Sequence, residues 1–135
     1  MPTVKANNCD MYYEVDDFTD PWVSEKETVW LQHGVGRSTK FWYHWVPALA
    51  RHYRVIRRDM RGHGQSADPG PNHTWSIDEL ITDMRTFMDA AAYLEIDGCR
   101  LVLLGPSPTV RLIIAICQES GTRNVEVFPC PTSPR

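Results

Sequence analysis

The chain has 135 residues, 42% of them hydrophobic, and a formal charge of −3 at neutral pH. That length suits one domain or a piece of one, and the apolar share suits a packed core rather than disorder. The small negative charge gives no electrostatic basis for binding nucleic acid or an anionic membrane.

No apolar run approaches the roughly 20 residues that cross a bilayer. The start, Met1-Pro2-Thr3-Val4-Lys5, lacks the apolar stretch of a secretory signal, so the cytoplasm is the expected compartment. Cys9, Cys99, Cys117 and Cys130 are far apart, with no C-x-x-C pair. Neither a zinc site nor a disulfide framework is expected from that spacing.

Tyr12, Tyr13 and Val15 predict a strand over Met11 to Asp16. An acidic loop follows from Asp17 to Glu27. Thr28-Val29-Trp30-Leu31-Gln32 is a short apolar run ending at His33-Gly34, the pattern of a strand buried on both faces. Gly34 and Gly36 let the chain leave it sharply. Trp30, Phe41, Trp42, Tyr43 and Trp45 are expected in the core and a pocket wall. Pro47 suits a first helical position, with Val46, Leu49, Ala50 and Tyr53 at helical spacing. A second short strand is expected over Tyr53 to Arg58. The basic run Arg51, Arg54, Arg57, Arg58 and Arg61 is expected to be a solvated edge. Asp59 and Arg61 are expected to bond within their own loop, and His63 to be a turn residue.

Ser76-Ile77-Asp78-Glu79 fits a capping box. Ile77, Leu80, Ile81, Met84, Phe87, Met88, Ala91 and Leu94 then mark one face of a long amphipathic helix that stops at Asp97-Gly98. Leu101 to Leu104 predicts another buried strand. Strand, helix, strand, helix, strand is the pattern of a parallel sheet with right-handed crossovers, an α/β class. Val110, Ile113, Ile114 and Cys117 are spaced for a helix over 109–120. Val125 to Phe128 is expected to be extended, and the proline-containing end disordered.

His33-Gly34, then Asp59 with Arg61-Gly62-His63-Gly64-Gln65-Ser66, then a strand leading to Gly105-x-Ser107 resemble the α/β-hydrolase superfamily, over Met11 to Ser107. Within it the segment resembles enol-lactonase and esterase-like members. The resemblance implies a mostly parallel sheet and a serine hydrolase acting on small esters or lactones, without metal or organic cofactor. It implies Ser107 as nucleophile on a strained turn, and an oxyanion loop of His33, Gly34 and Val35. One oxyanion donor would be the N–H of Val35 and the other that of residue 108.

The motif then departs from the family. Residue 108 is proline and has no N–H. Losing one oxyanion donor costs about 100- to 1000-fold in rate. A residue before proline is pushed towards extended geometry, which opposes the nucleophile's turn. Thr109 stands where G-x-S-x-G has its last glycine. Ser107 before a proline also fits a helix N-cap. His33, His44, His52, His63 and His73 all precede Ser107, whereas the family order is serine, acid, histidine. An out-of-order histidine can substitute only by geometry, with His33 the nearest.

Five of the ten prolines lie in the last 30 residues. The expectation is therefore a partial α/β-hydrolase domain over 11–107, with the C-terminal half of the fold missing, and a divergent tail over 108–135. A shifted reading frame or retained intron would produce such a tail. The chain is then expected to be a serine hydrolase of small esters or lactones by resemblance that is inactive as it stands, or else a non-catalytic remnant acting at most as a binding module for a small ligand or a partner. Self-association through an exposed sheet edge is also expected.

Overall fold

The run Thr28–Gln32 forms a strand, β3, that is buried at every position. Its side chains alternate between the two faces of a sheet, as the period of two requires. Val29 and Leu31 pack with Trp42, Val46, Ala50 and Val55 on one face. Trp30 packs with Met11, Ile56, Met84 and Phe87 on the other. The sequence expectation of a strand covered on both faces holds.

The computed structural model describes residues 2–24, 26–92, 99–102 and 125–126. The remaining strands are β1 Thr3–Ala6, β2 Cys9–Asp16, β4 Arg54–Arg58, β5 Cys99–Val102 and β6 Val125–Glu126. They form one sheet in the order β1-β2-β4-β3-β5-β6. β4, β3, β5 and β6 pair in parallel, while β1–β2 and β2–β4 are antiparallel. Helix α1, Val46–Leu49, is one turn with Pro47 in its first turn, preceded by a 3-10 turn over Thr39–Trp42. Helix α2 runs Ile77–Ala92. α1 and α2 contribute to opposite core clusters, so the sheet lies between two helical layers.

The sheet begins earlier than the sequence suggested. β1 and β2 form a hairpin with Ala6 opposite Cys9 and a two-residue turn of Asn7 and Asn8. Both asparagines have positive φ, 46° and 57°. Such a turn needs residues that tolerate the left-handed region, and asparagine does so more readily than most.

Helix α2 starts with half of the expected capping box. The Glu79 N–H donates to Ser76 Oγ at 3.1 Å. The Glu79 carboxylate instead accepts from His73 Nε2 at 2.7 Å and lies 3.8 Å from Arg61 Nη1. Met84 and Phe87 carry the buried face, with Leu80, Ile81 and Met88 packed beside them. Ile77 was expected on this face but is exposed. Gly98, Leu104 and the expected helix over 109–120 lie outside the described residues. Of the extension expected over Val125 to Phe128, β6 shows Val125–Glu126, and the rest lies outside the described residues.

The basic run is a solvated edge only at its start, where Arg51 is exposed and Arg54 half-buried. Arg57, Arg58 and Arg61 are buried. β4 lies between two strands and two helical layers, so its side chains from Val55 to Arg58 have no route to water. Arg57 Nε donates to Asp16 Oδ2 at 2.8 Å, Arg57 Nη2 pairs with Glu14, and Tyr43 lies under its guanidinium. Arg58 points to the other face. It donates to Gln32 Oε1 at 3.0 Å and the Asp83 carbonyl at 3.2 Å, between the Trp30 and Phe87 rings. Burial pulls its pKa down to about 10, with Asp83 opposing the change, so it is still a cation at neutral pH.

Candidate functional site

The strand order fixes where a site can form. β3 has β4 on one side and β5 on the other. The chain runs from β3 to β4 and then back across β3 to β5, so strand order reverses there. A reversal of this kind, at the C-terminal ends of the strands, is where open α/β sheets bind ligands. His33, Gly34, Val35 and Gly36 form the start of the loop after β3. Ser107, Pro108 and Thr109 follow β5 in the chain and lie outside the described residues.

The loop after β3 turns at once. Arg37 N–H donates to the Gly34 carbonyl at 3.2 Å, closing a β-turn with Gly36 at its third position and φ of 75°. That backbone conformation favours glycine. The Val35 side chain is exposed, and among the described residues no group accepts a hydrogen bond from the Val35 N–H.

His33 is fully buried, and backbone groups hold both its ring nitrogens. The Met60 N–H donates to Nε2 at 2.9 Å, so Nε2 carries no proton. Nδ1 therefore holds the proton and donates to the Gly34 carbonyl at 2.8 Å. Burial pushes the His33 pKa down to about 4, against the opposing effects of the Gly34 carbonyl and Asp59. A neutral imidazole with both nitrogens engaged orients a loop and has no nitrogen left to take a proton from a nucleophile. This removes the geometric basis for His33 as a substitute base.

Asp59 lies just past β4 and is 1% exposed. Its Oδ1 accepts from the Thr39 N–H at 2.6 Å and its Oδ2 from the Gln65 N–H at 2.8 Å. Its carboxylate thus joins the loop after β3 to the loop after β4, rather than bonding only within its own loop. A Cβ on Gly64 would overlap that carboxyl, and Gly64 has φ of 54°. The glycine is there to admit Asp59. Ser66 Oγ donates to the Asp59 carbonyl at 2.7 Å and accepts from the Tyr12 N–H at 2.9 Å, fixing the far end of the turn to β2. His63 is a turn residue as expected, with Nδ1 2.8 Å from the Arg61 carbonyl.

Arg61 also reaches out of its loop. Its Nε and Nη2 meet the two oxygens of Asp83 on α2 at 2.9 and 2.7 Å. Asp83 Oδ1 further accepts from Asn7 Nδ2 at 2.7 Å, and Arg61 Nη2 donates to the Asn7 carbonyl at 2.8 Å. One buried carboxylate therefore ties the β1–β2 hairpin, the glycine-rich loop and α2 together. Among the described residues, no group of three or more His, Cys, Asp or Glu side chains converges to hold a metal ion.

The sequence singled out His33, Gly34 and Val35, and they stand together just past the C-terminal end of β3. It missed Asp83, Arg57, Thr39 and the central place of Asp59. A signal for Asp83 was present. It lies three residues after Leu80 and four before Phe87, on the apolar stripe of α2, where a lone carboxylate needs a buried cation.

A sequence pattern describing the alpha/beta hydrolase fold matches residues 27–93, the stretch that carries β3, β4, both loops and α2. Over those residues the chain carries the α/β-hydrolase fold. Over 112 residues it is 30% identical to epoxide hydrolase 4 of Mus musculus, covering 79% of this chain and 30% of that protein. Over 68 residues it is 37% identical to a putative carbamate hydrolase of Caulobacter segnis, covering 50% of this chain and 26% of that protein. Among solved structures it is similar to the enol-lactonase from Burkholderia xenovorans, with 28% identity and a TM-score of 0.63 over 76% of this chain and 36% of that one. The chain spans under a third of the length of those two curated relatives. Its likeness to α/β-hydrolases thus rests on the sheet, the switch point and the loops just described. Among the described residues, no helix is long and apolar enough to cross a membrane.

Proposed function

We propose that the chain supplies the oxyanion-loop half of a serine-hydrolase site for small esters or lactones. We further propose that, as its residues stand, it binds such a molecule without turning it over. The observation that carries the reading is the state of the loop after β3. His33 is locked neutral against Gly34 and Met60, while the neighbouring Val35 N–H has no acceptor among the described residues. A fixed backbone donor at a switch point suits the oxygen of a polarised carbonyl. The enol-lactonase and carbamate hydrolase relatives agree with an acyl-type substrate.

Silence follows from the motif around Ser107, assigned as the nucleophile by its place in Gly105-x-Ser107. Pro108 has no N–H to complete the pair of oxyanion donors, and it disfavours the backbone turn the nucleophile needs. Both faults are local and hold whatever follows Arg135. With His33 neutral and doubly bonded, it offers no base in compensation. The test is hydrolysis of an aryl acetate and a simple lactone at pH 7.5 by the chain and by Ser107→Ala. Equal rates are expected. Turnover that disappears in Ser107→Ala would overturn the silent reading.

Self-association belongs to the same proposal. β6 pairs only with Leu101 and Val102 of β5, so Cys99 and Arg100 face no described strand on that side. A short, partly covered edge invites pairing with another copy. Sedimentation velocity at tens of micromolar is expected to show species larger than a monomer. A single monomeric boundary up to that concentration would contradict it.

A further inference from the structure

The loop from Gly34 to Thr39 is held at both ends by side chains from the strand termini. His33 holds its start through the Gly34 carbonyl at 2.8 Å. Its end is gripped on a single residue. The Thr39 N–H donates to Asp59 Oδ1 at 2.6 Å, and the Thr39 carbonyl accepts from Arg57 Nη1 at 3.0 Å. Thr39, Arg57 and Asp59 are all buried, so water does not compete for these bonds. Arg57 is itself aimed by Asp16 and Glu14 on the neighbouring strand. Between the two anchors, Val35, Gly36 and Arg37 are exposed.

We propose that Asp59 and Arg57 are positioning residues. Their joint hold on the Thr39 peptide groups sets where the Val35 N–H points, although neither side chain touches the substrate. The inference rests on taking the 33–39 loop as the oxyanion loop, and it adds which residues set its shape. Asp59 suits the task because a carboxylate accepts through both oxygens. Asparagine presents one acceptor and one donor, so Asp59→Asn must abandon either the Thr39 N–H or the Gln65 N–H.

The experiment is backbone 15N relaxation on the full chain, which reads loop order independently of any reaction. In the wild type the Val35 to Ser38 amides are expected in the rigid range, with order parameters about 0.85. Thr39→Pro deletes the N–H that Asp59 Oδ1 accepts, together with the Thr39 hydroxyl, and leaves the carbonyl that Arg57 holds. Ser38 is extended, with φ of −147° and ψ of −179°, and Thr39 opens the 3-10 turn, so proline fits that backbone. Thr39→Pro is expected to bring Val35 to Ser38 below about 0.6, and Asp59→Asn to loosen either that stretch or the Gln65 amide, whichever N–H it abandons. In Thr39→Pro the Gln65 amide is expected to keep its order, because Asp59 Oδ2 still accepts from it. Asp83→Asn weakens the separate Arg61 network and is expected to leave the 35–38 amides rigid. If Asp59→Asn does not fold, Thr39→Pro alone decides. Unchanged order at 35–38 in Thr39→Pro, or an equal loss in Asp83→Asn, would overturn the proposal. A failed hydrolysis assay leaves it standing, so the two readings fail separately.

Discussion

Asp83→Ala is expected to destabilise the chain by about 3–5 kcal/mol, the usual cost of removing one partner from a buried ion pair. Asp83 is fully buried, and the Arg61 guanidinium that it receives through both oxygens is nearly so. Alanine leaves that cation and the Asn7 amide facing a void that water fills poorly. The cost is the desolvation of an abandoned charge, so it should exceed the loss of any single hydrogen bond, about 1 kcal/mol. Urea denaturation at pH 7 measures it. In a double-mutant cycle, adding Arg61→Met to Asp83→Ala should recover a large part of the loss, since the orphaned charge goes too. A loss below 1 kcal/mol for Asp83→Ala, or no recovery in the double variant, would show that this network does not hold the loop, the hairpin and α2 together.

The second large effect is on pH. His33 has its folded pKa at about 4, below the ordinary histidine value of 6.5. As pH falls below 6.5 the unfolded chain takes a proton that the folded chain refuses. The stability contributed by neutral His33 is therefore fully present above pH 6.5 and is lost as pH falls from 6.5 to about 4. The slope approaches about 1.4 kcal/mol per pH unit, for a loss of about 3 kcal/mol in all. Urea titrations at intervals between pH 7 and 4 follow it. His33→Gln removes the titrating group, so its stability should fall less steeply over that range, whatever its stability at pH 7. Parallel slopes for the two proteins would contradict the buried neutral state.

The Asp83 network is also where the sequence was least informative. β3 and β4 were legible because a short apolar run between turn residues has few other readings. The His33-Gly34 exit and the Arg61 to Ser66 turn were legible because their glycines mark required backbone shapes, as the positive φ of Gly36, Gly62 and Gly64 bears out. β1 was missed because four residues carry little pattern, and its main signal was the Asn7-Asn8 turn. The arginines were misplaced for a different reason. Charge along a sequence suggests solvent, and only the pairing of β4 between β2 and β3 shows that Arg57 and Arg58 have none. Their partners, Asp16, Glu14 and Asp83, are set by tertiary contacts between distant segments. The same holds for Asp59, which reads as a turn residue until Thr39, 20 positions away, is placed against it.

The fold therefore separates two matters that a hydrolase resemblance joins. The sheet, the switch point and the loop after β3 are built, with the loop anchored at His33 and Thr39. Ser107, the nucleophile proposed from Gly105-x-Ser107, is followed by a residue without an N–H. Fluorophosphonate labelling of the native chain, with Ser107→Ala as control and mass spectrometry to locate the adduct, tests this directly. The account predicts no adduct on Ser107 and equal background in both proteins. A stoichiometric adduct on Ser107 that is absent from Ser107→Ala would contradict it.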